Sequence, residues 1–176
     1  MEDLKAGFER LEATKASLLR SLASLDRETL NRKPDPAAWS ILQVIAHVTR
    51  SETGTLQYIK KKTQDPLALP KSGVLPWLRV GALLMGFHLP FKFKAPKGMG
   101  DVPETGDFEG SSAAWAQVRD DWRKFIDGFP APLGDRVIFR HPFVGLLGPV
   151  QVMIFLNAHL ENHVGQIGRI RKTLGV

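Results

Sequence analysis

The sequence predicts an all-α protein, namely a four-helix bundle with a long crossover connection between its second and third helices. Three observations predict this fold class. Four segments repeat apolar residues at helical spacing, proline, glycine or capping residues bound the segments, and one long stretch between the second and third holds many of the prolines and glycines. A length of 176 residues suits one domain, so we expect a single domain over residues 1–176.

The first two helices follow from apolar stripes in the N-terminal part of the chain. Pro34 and Pro36 end any helix that precedes them. The second helix is predicted to begin near Trp39 and Ser40 and to end near Lys62. The first stripe comprises Leu4, Phe8, Leu11, Leu18, Leu22 and Leu25, and the second comprises Ile41, Val44, Ile45, Val48, Leu56 and Ile59.

The third and fourth helices lie in the C-terminal part of the chain. Gly128 and Pro130 close the third helix. Pro149 suits the first position of the fourth helix, and Gly175 follows its basic last residues, which is the usual start and stop asymmetry. The third helix is marked by Trp115, Val118, Trp122, Phe125, Ile126 and Phe129. Four amphipathic helices of this length predict a four-helix bundle.

The connection between the second and third helices runs from about Thr63 to Gly110. Its segment 74–91 is strongly apolar, with the sequence VLPWLRVGALLMGFHLPF, but Pro76, Arg79 and several other residues interrupt it too often for a membrane span. We favour a short helix that packs as a lid or pocket wall. Membrane contact and an oligomer interface are the alternatives, and exposed apolar surface in this segment would favour a homodimer.

Composition and charge limit the classes of function. A chain with 43% hydrophobic and 24% charged residues is typical of a globular protein, and the lack of cysteine excludes a thiol nucleophile and thiolate metal ligands. The net charge of +6 is spread over the helices without a recognised nucleic-acid motif, so we expect no nucleic-acid partner. The N-terminal residues lack a secretory pattern, and we expect a cytoplasmic protein with no membrane partner.

His159 and His163 lie four residues apart on the predicted fourth helix. Their side chains therefore share one face about one turn apart, and that face also carries the apolar residues that point into the bundle. Buried imidazoles cost free energy unless their nitrogens have partners, and one metal ion would satisfy both. The alternative is a pair of core histidines bonded to carbonyls or water.

His47 lies on a flank of the apolar arc of the second helix and contributes a third nitrogen if it points into a site between two helices. Three neutral donors with one open position are typical of a catalytic divalent metal site, whereas structural zinc sites have four protein ligands. A surface histidine is the alternative interpretation of His47.

Glu52 falls inside the same apolar arc, where a carboxylate is costly unless it is paired. We consider it a general base for metal-activated water or a hydrogen-bond acceptor for a ligand imidazole. A salt bridge from Glu52 to an arginine at the bundle edge is equally compatible with this position.

His141 is expected to have a structural or pocket-edge role. Gln166 lies close to one turn after His163, so it either orients that histidine, contacts substrate, or is a core-edge amide.

Three segments together carry a resemblance to a known family: PDPAAWSILQVIAHVTRSE, HPFVGLLGPV and AHLENHVGQIGRIRKTLG. They resemble the DinB/YfiT-like superfamily of metalloenzymes over nearly the whole chain. The resemblance implies a left-handed four-helix bundle with a long crossover and a metal bound by three histidines, at the positions of His47, His159 and His163.

The resemblance also implies an activity. Members of this superfamily include thiol S-transferases and isomerases that use a low-molecular-weight thiol, so we expect a metal-dependent enzyme of that kind with zinc or nickel in its site. The alternatives are a metal-dependent hydrolase, in which water replaces the thiol, and a non-catalytic metal-binding or stress-response module. The sequence does not choose between thiol and water.

Overall fold

Five α-helices and one small hairpin make up the part of the protein that the computed structural model describes, which is residues 2–65, 68–73, 81, 101–142 and 145–176. The helices are α1 (Glu2–Leu22), α2 (Arg27–Asn31), α3 (Ile41–Lys62), α4 (Phe108–Asp127) and α5 (Pro149–Leu174). A 3₁₀ turn spans Ala131–Leu133, and the antiparallel hairpin pairs β1 (Phe139–His141) with β2 (Gly145–Leu147). The predicted all-α fold class is confirmed.

The ends of the long helices agree with the local signals in the sequence. Ser40 begins α3 with a capping box, in which its hydroxyl accepts from the Gln43 backbone at 3.3 Å and the Gln43 side chain accepts from the Ser40 backbone at 3.1 Å. Pro149 occupies the first turn of α5, and Gly175 ends it in the left-handed conformation with φ of 75°. These boundaries were predictable because caps act on neighbouring residues only.

The core is formed where the four long helices pack together. α1 packs most extensively against α5, and α3 contacts both α4 and α5. Asn157 ties α5 to α1 because its amide nitrogen donates to the Gly7 carbonyl at 2.9 Å. Trp115 and Trp122 of α4 are almost completely buried. The contact between α3 and α5 joins the two helices that carry the candidate histidines.

Besides the 3₁₀ turn, two features of the fold were not predicted. The first is α2, whose start is capped by the Asp26 carboxylate, which accepts from the Thr29 backbone at 2.7 Å. The helix α1 ends at Leu22, and Leu25 packs against the core from the turn between the two helices. The second is the hairpin, whose strands have only three residues each. Such short strands carry almost no periodic signal, and they depend on packing against the helices.

The connection between α3 and α4 is described in part. Residues 68–73 lie beside the segment before β1, where the Val137 backbone donates to the Pro70 carbonyl at 2.9 Å. Apart from Gly81, the apolar segment 74–91 lies outside the described residues, so the crossover path and the lid remain predictions. Within the described ranges, no helix has the combination of length and apolar content that crossing a bilayer requires.

Candidate metal centre

The packing of α3 against α5 brings His47, His159 and His163 together. Each contributes one ring nitrogen to a group in which all three nitrogens lie within 4.8 Å of one another. The ring centroids are 5.5 Å apart for His47 and His159, 4.9 Å for His47 and His163, and 4.5 Å for His159 and His163. The three residues that the sequence suggested as metal ligands are therefore neighbours.

The closest pair of nitrogens fits a shared metal ion. The Nε2 atoms of His159 and His163 lie 3.1 Å apart. Two nitrogens that bind one zinc at about 2.0–2.1 Å with tetrahedral angles would be separated by about 3.3 Å. At this distance, either one neutral ring donates its N–H to the other or the two lone pairs share a cation, so the pair is compatible with a shared metal ion.

Both histidines of α5 are neutral in this environment. Burial, with a smaller contribution from His47, lowers the pKa of His163 to about 4. Burial and the charges of the neighbouring histidines hold the pKa of His159 well below its ordinary value. His159 is partly exposed as a residue, but its Nδ1 is enclosed and lacks a hydrogen-bond partner among the described residues. Neutral imidazoles are the form that binds a metal.

Gln166 determines which nitrogen of His163 faces the group. Its Oε1 lies 2.7 Å from Nδ1 of His163. Because an amide oxygen only accepts hydrogen bonds, Nδ1 carries the proton, and Nε2 presents its lone pair toward His159. Of the roles considered for Gln166, this contact supports the one that orients the histidine.

Aromatic rings and a fourth histidine surround the group. The Trp39 ring lies 4.9 Å from that of His47, and the Phe155 ring lies 5.6 Å from that of His159. His141 packs edge-on against Phe155 at 4.5 Å, and burial lowers the pKa of His141 to about 4. The sequence analysis used Trp39 only to mark the start of the second helix. The sequence did contain a signal for Phe155, since it lies one turn before His159 on the same helix face.

Glu52 lies outside the group of three histidine nitrogens, in an ion pair with Arg119 of α4. Both side chains are 1% exposed. The Glu52 carboxylate accepts from Arg119 Nε at 2.7 Å and Nη2 at 2.8 Å, and from Trp115 Nε1 at 3.0 Å. Burial raises the pKa of the Glu52 carboxyl, and the charge and hydrogen bonds of Arg119 oppose that rise. One interpretation of the sequence was a salt bridge from Glu52 to an arginine at the bundle edge. The partner of Glu52 is indeed an arginine, but Arg119 lies in the core.

The fold and the histidine group define a helical-bundle protein with a candidate metal centre. The family model of the DinB superfamily matches residues 10–167, so the chain belongs to that superfamily. The fold is similar to that of YfiT from Bacillus subtilis, described as "a probable metal-dependent hydrolase with an unusual four-helix bundle topology". That similarity has a TM-score of 0.65 and 16% sequence identity, and it covers 99% of this chain and 89% of YfiT. No curated protein matches the chain.

Proposed function

We propose that this protein is a metal-dependent enzyme in which His47, His159 and His163 hold one divalent ion, zinc or nickel. The convergence of three ring nitrogens within 4.8 Å carries the proposal. The description of YfiT, which has a similar fold, as a probable metal-dependent hydrolase supports it. Three neutral nitrogen donors are the set typical of catalytic sites, which keep one position open for a ligand.

The chain's own residues would prepare this site for a small molecule. Bound there, a divalent ion supplies Lewis acidity at one open position, which suits the activation of a thiol or of water. Gln166 holds the tautomer of His163 that presents Nε2 as a donor. The rings of Trp39 and Phe155 form apolar walls beside His47 and His159, so they exclude water from that side and favour a substrate with apolar parts.

Two reaction classes are compatible with the site. We favour transfer of a low-molecular-weight thiol to an electrophile, which is what the resemblance to the DinB/YfiT-like superfamily implies. Because the chain has no cysteine, the small molecule would supply the sulfur nucleophile. Hydrolysis is the second candidate, and the fold similarity to YfiT favours it. In the hydrolytic case, we infer that Glu52 is not the general base, since Arg119 engages both of its carboxylate oxygens.

The first experiment measures the metal content of protein purified without an affinity tag. We expect about one divalent ion per chain, lost in His159→Ala and retained in His88→Ala, a histidine to which the proposal assigns no metal. A metal-free native protein whose His159→Ala variant has unchanged stability would contradict the metal site.

The second experiment separates the two reaction classes. The metal-loaded protein is assayed with an electrophilic dye and a panel of low-molecular-weight thiols, and in parallel with ester and amide substrates. Turnover that requires both a thiol and the metal supports the transferase. Turnover of esters or amides without thiol supports the hydrolase, and turnover of neither set favours a binding module.

A further inference from the structure

The hairpin brings a fourth histidine to the edge of the metal centre. Along β1, Phe139 and His141 are buried while Arg140 is exposed, so alternate side chains face the bundle. The Phe139 ring contacts Tyr58 of α3 at 5.3 Å and lies 6.4 Å from the Phe155 ring of α5. The strand therefore lies across the same two helices that carry the three candidate ligands.

His141 is held next to the centre without belonging to it. Its ring packs edge-on against Phe155 at 4.5 Å, and the Phe155 ring lies 5.6 Å from that of His159. A charge on His141 is close enough to act on His159. His141 is nevertheless not a member of the group whose nitrogens lie within 4.8 Å of one another. His141 is therefore separate from the three candidate ligands, and Phe155 is the ring that it shares with His159.

We propose that His141 binds the small ligand that takes the open position of the metal centre, by a hydrogen bond from its imidazole to an anionic or polar atom of that ligand. This inference rests on the proposed function. A neutral imidazole offers one donor and one acceptor nitrogen, so it suits a carboxylate, a thiolate or a hydroxyl. Since the neighbouring walls are aromatic, His141 supplies hydrogen-bonding capacity that Trp39 and Phe155 do not provide on their faces.

The test uses the Co²⁺-loaded protein and azide as the probe anion. Visible absorption of the cobalt reports azide binding at pH 7.5 in the wild type and in three variants. His141→Phe keeps an aromatic ring without nitrogens, and His141→Gln keeps a donor and an acceptor. Leu146→Phe changes the exposed residue opposite Arg140 on the same hairpin and serves as the matched control.

We expect His141→Phe to bind one Co²⁺ per chain as the wild type does, with an azide dissociation constant raised about 10- to 100-fold, which is the usual effect of losing a hydrogen bond to a charged group. His141→Gln should recover most of the affinity, and Leu146→Phe should match the wild type. If His141→Phe fails to fold, His141→Leu makes the same comparison.

Three outcomes would overturn the inference, and they differ from one another. An azide affinity of His141→Phe within twofold of the wild type shows that His141 does not contact the ligand. Loss of cobalt from a folded His141→Phe shows that it acts on the metal instead. A wild-type protein that binds no cobalt contradicts the proposed function itself, before any variant is compared.

Discussion

At the scale of single residues, the proposed metal centre depends on the direction in which each imidazole presents its nitrogens. His163 receives that direction from Gln166, whose amide oxygen lies 2.7 Å from Nδ1. Without this acceptor, the proton can move to Nε2, the nitrogen that faces His159 at 3.1 Å. A protonated Nε2 has no lone pair for a metal. The glutamine therefore acts through the histidine, as a positioning residue.

The Gln166→Leu variant tests this role. We expect its affinity for Zn²⁺ to fall about 10- to 100-fold, the usual cost of removing the partner of a ligand histidine. Competition with a chromophoric chelator measures the affinity. Gln57→Leu makes the same chemical change at an exposed position of α3 and should leave the affinity unchanged. Equal Zn²⁺ affinities in Gln166→Leu and the wild type would show that Gln166 does not orient a metal ligand.

Trp39 provides an optical signal from the same place. Its ring lies 4.9 Å from that of His47, so a paramagnetic ion held by His47 should quench its fluorescence. We expect titration of the metal-free protein with Ni²⁺ to reduce the emission until one ion per chain is bound. Trp39→Phe should lose most of this response while it still binds Ni²⁺ by elemental analysis. Quenching of equal size in Trp39→Phe would show that the metal lies elsewhere.

At the scale of elements, a buried ion pair joins three helices. Arg119 of α4 binds Glu52 of α3 through two nitrogens, and its remaining nitrogen donates to Glu12 of α1 at 3.0 Å. A buried charge without its partner is expensive, so this cluster requires all three helices to pack in one arrangement. The same arrangement sets the position of α3, which carries His47.

The Glu52→Gln variant is expected to reduce the free energy of unfolding by about 3–5 kcal/mol, because it leaves the Arg119 charge poorly compensated in the core. Urea denaturation at pH 7 measures the change. Glu9→Gln breaks an exposed pair with Arg123, whose side chains are 63% and 46% exposed, and it should cost less than about 1 kcal/mol. Similar losses in both variants would contradict a special role for the buried pair.

Metal content distinguishes this structural role of Glu52 from a role in the centre. Because Arg119 engages both carboxylate oxygens, we expect folded Glu52→Gln to retain about one divalent ion per chain. If folded Glu52→Gln lost its metal while its stability stayed unchanged, Glu52 would have a role in metal binding rather than a structural one.

At the scale of the whole molecule, the buried histidines make the stability of the metal-free protein depend on pH. The pKa of His163 and that of His141 are each lowered to about 4 by burial, and the pKa of His159 is lowered as well. In the unfolded chain, histidines bind protons below about pH 6.5. Between about pH 6.5 and 4, the unfolded state therefore binds more protons than the folded state, so acidification favours unfolding.

We expect the free energy of unfolding of the metal-free protein to be highest near neutral pH and to fall between about pH 6.5 and 4, by up to about 1.4 kcal/mol per pH unit for each buried histidine. Urea denaturation in the presence of a chelator measures it. His163→Gln should show a shallower dependence than the wild type over that range. A stability that did not change over these pH values would show that the histidines are accessible to protons in the folded state.

The sequence alone determined the parts of this protein that depend on near neighbours. The start of α3 at Ser40 and the end of α5 at Gly175 follow from caps and turns, which act over about four residues. The spacing of His159 and His163 on one helix face is equally local. These features were predicted correctly because helical periodicity and capping need no knowledge of the rest of the fold.

Only the tertiary structure decided the contacts between distant residues. The flank position of His47 left both a surface and a site interpretation, and the packing of α3 against α5 brought it to the other two histidines. The partner of Glu52 lies 67 residues away, and the hairpin that carries His141 is too short to leave a periodic signal. Pairings of this kind depend on how helices pack in three dimensions, which the pattern of one chain does not specify.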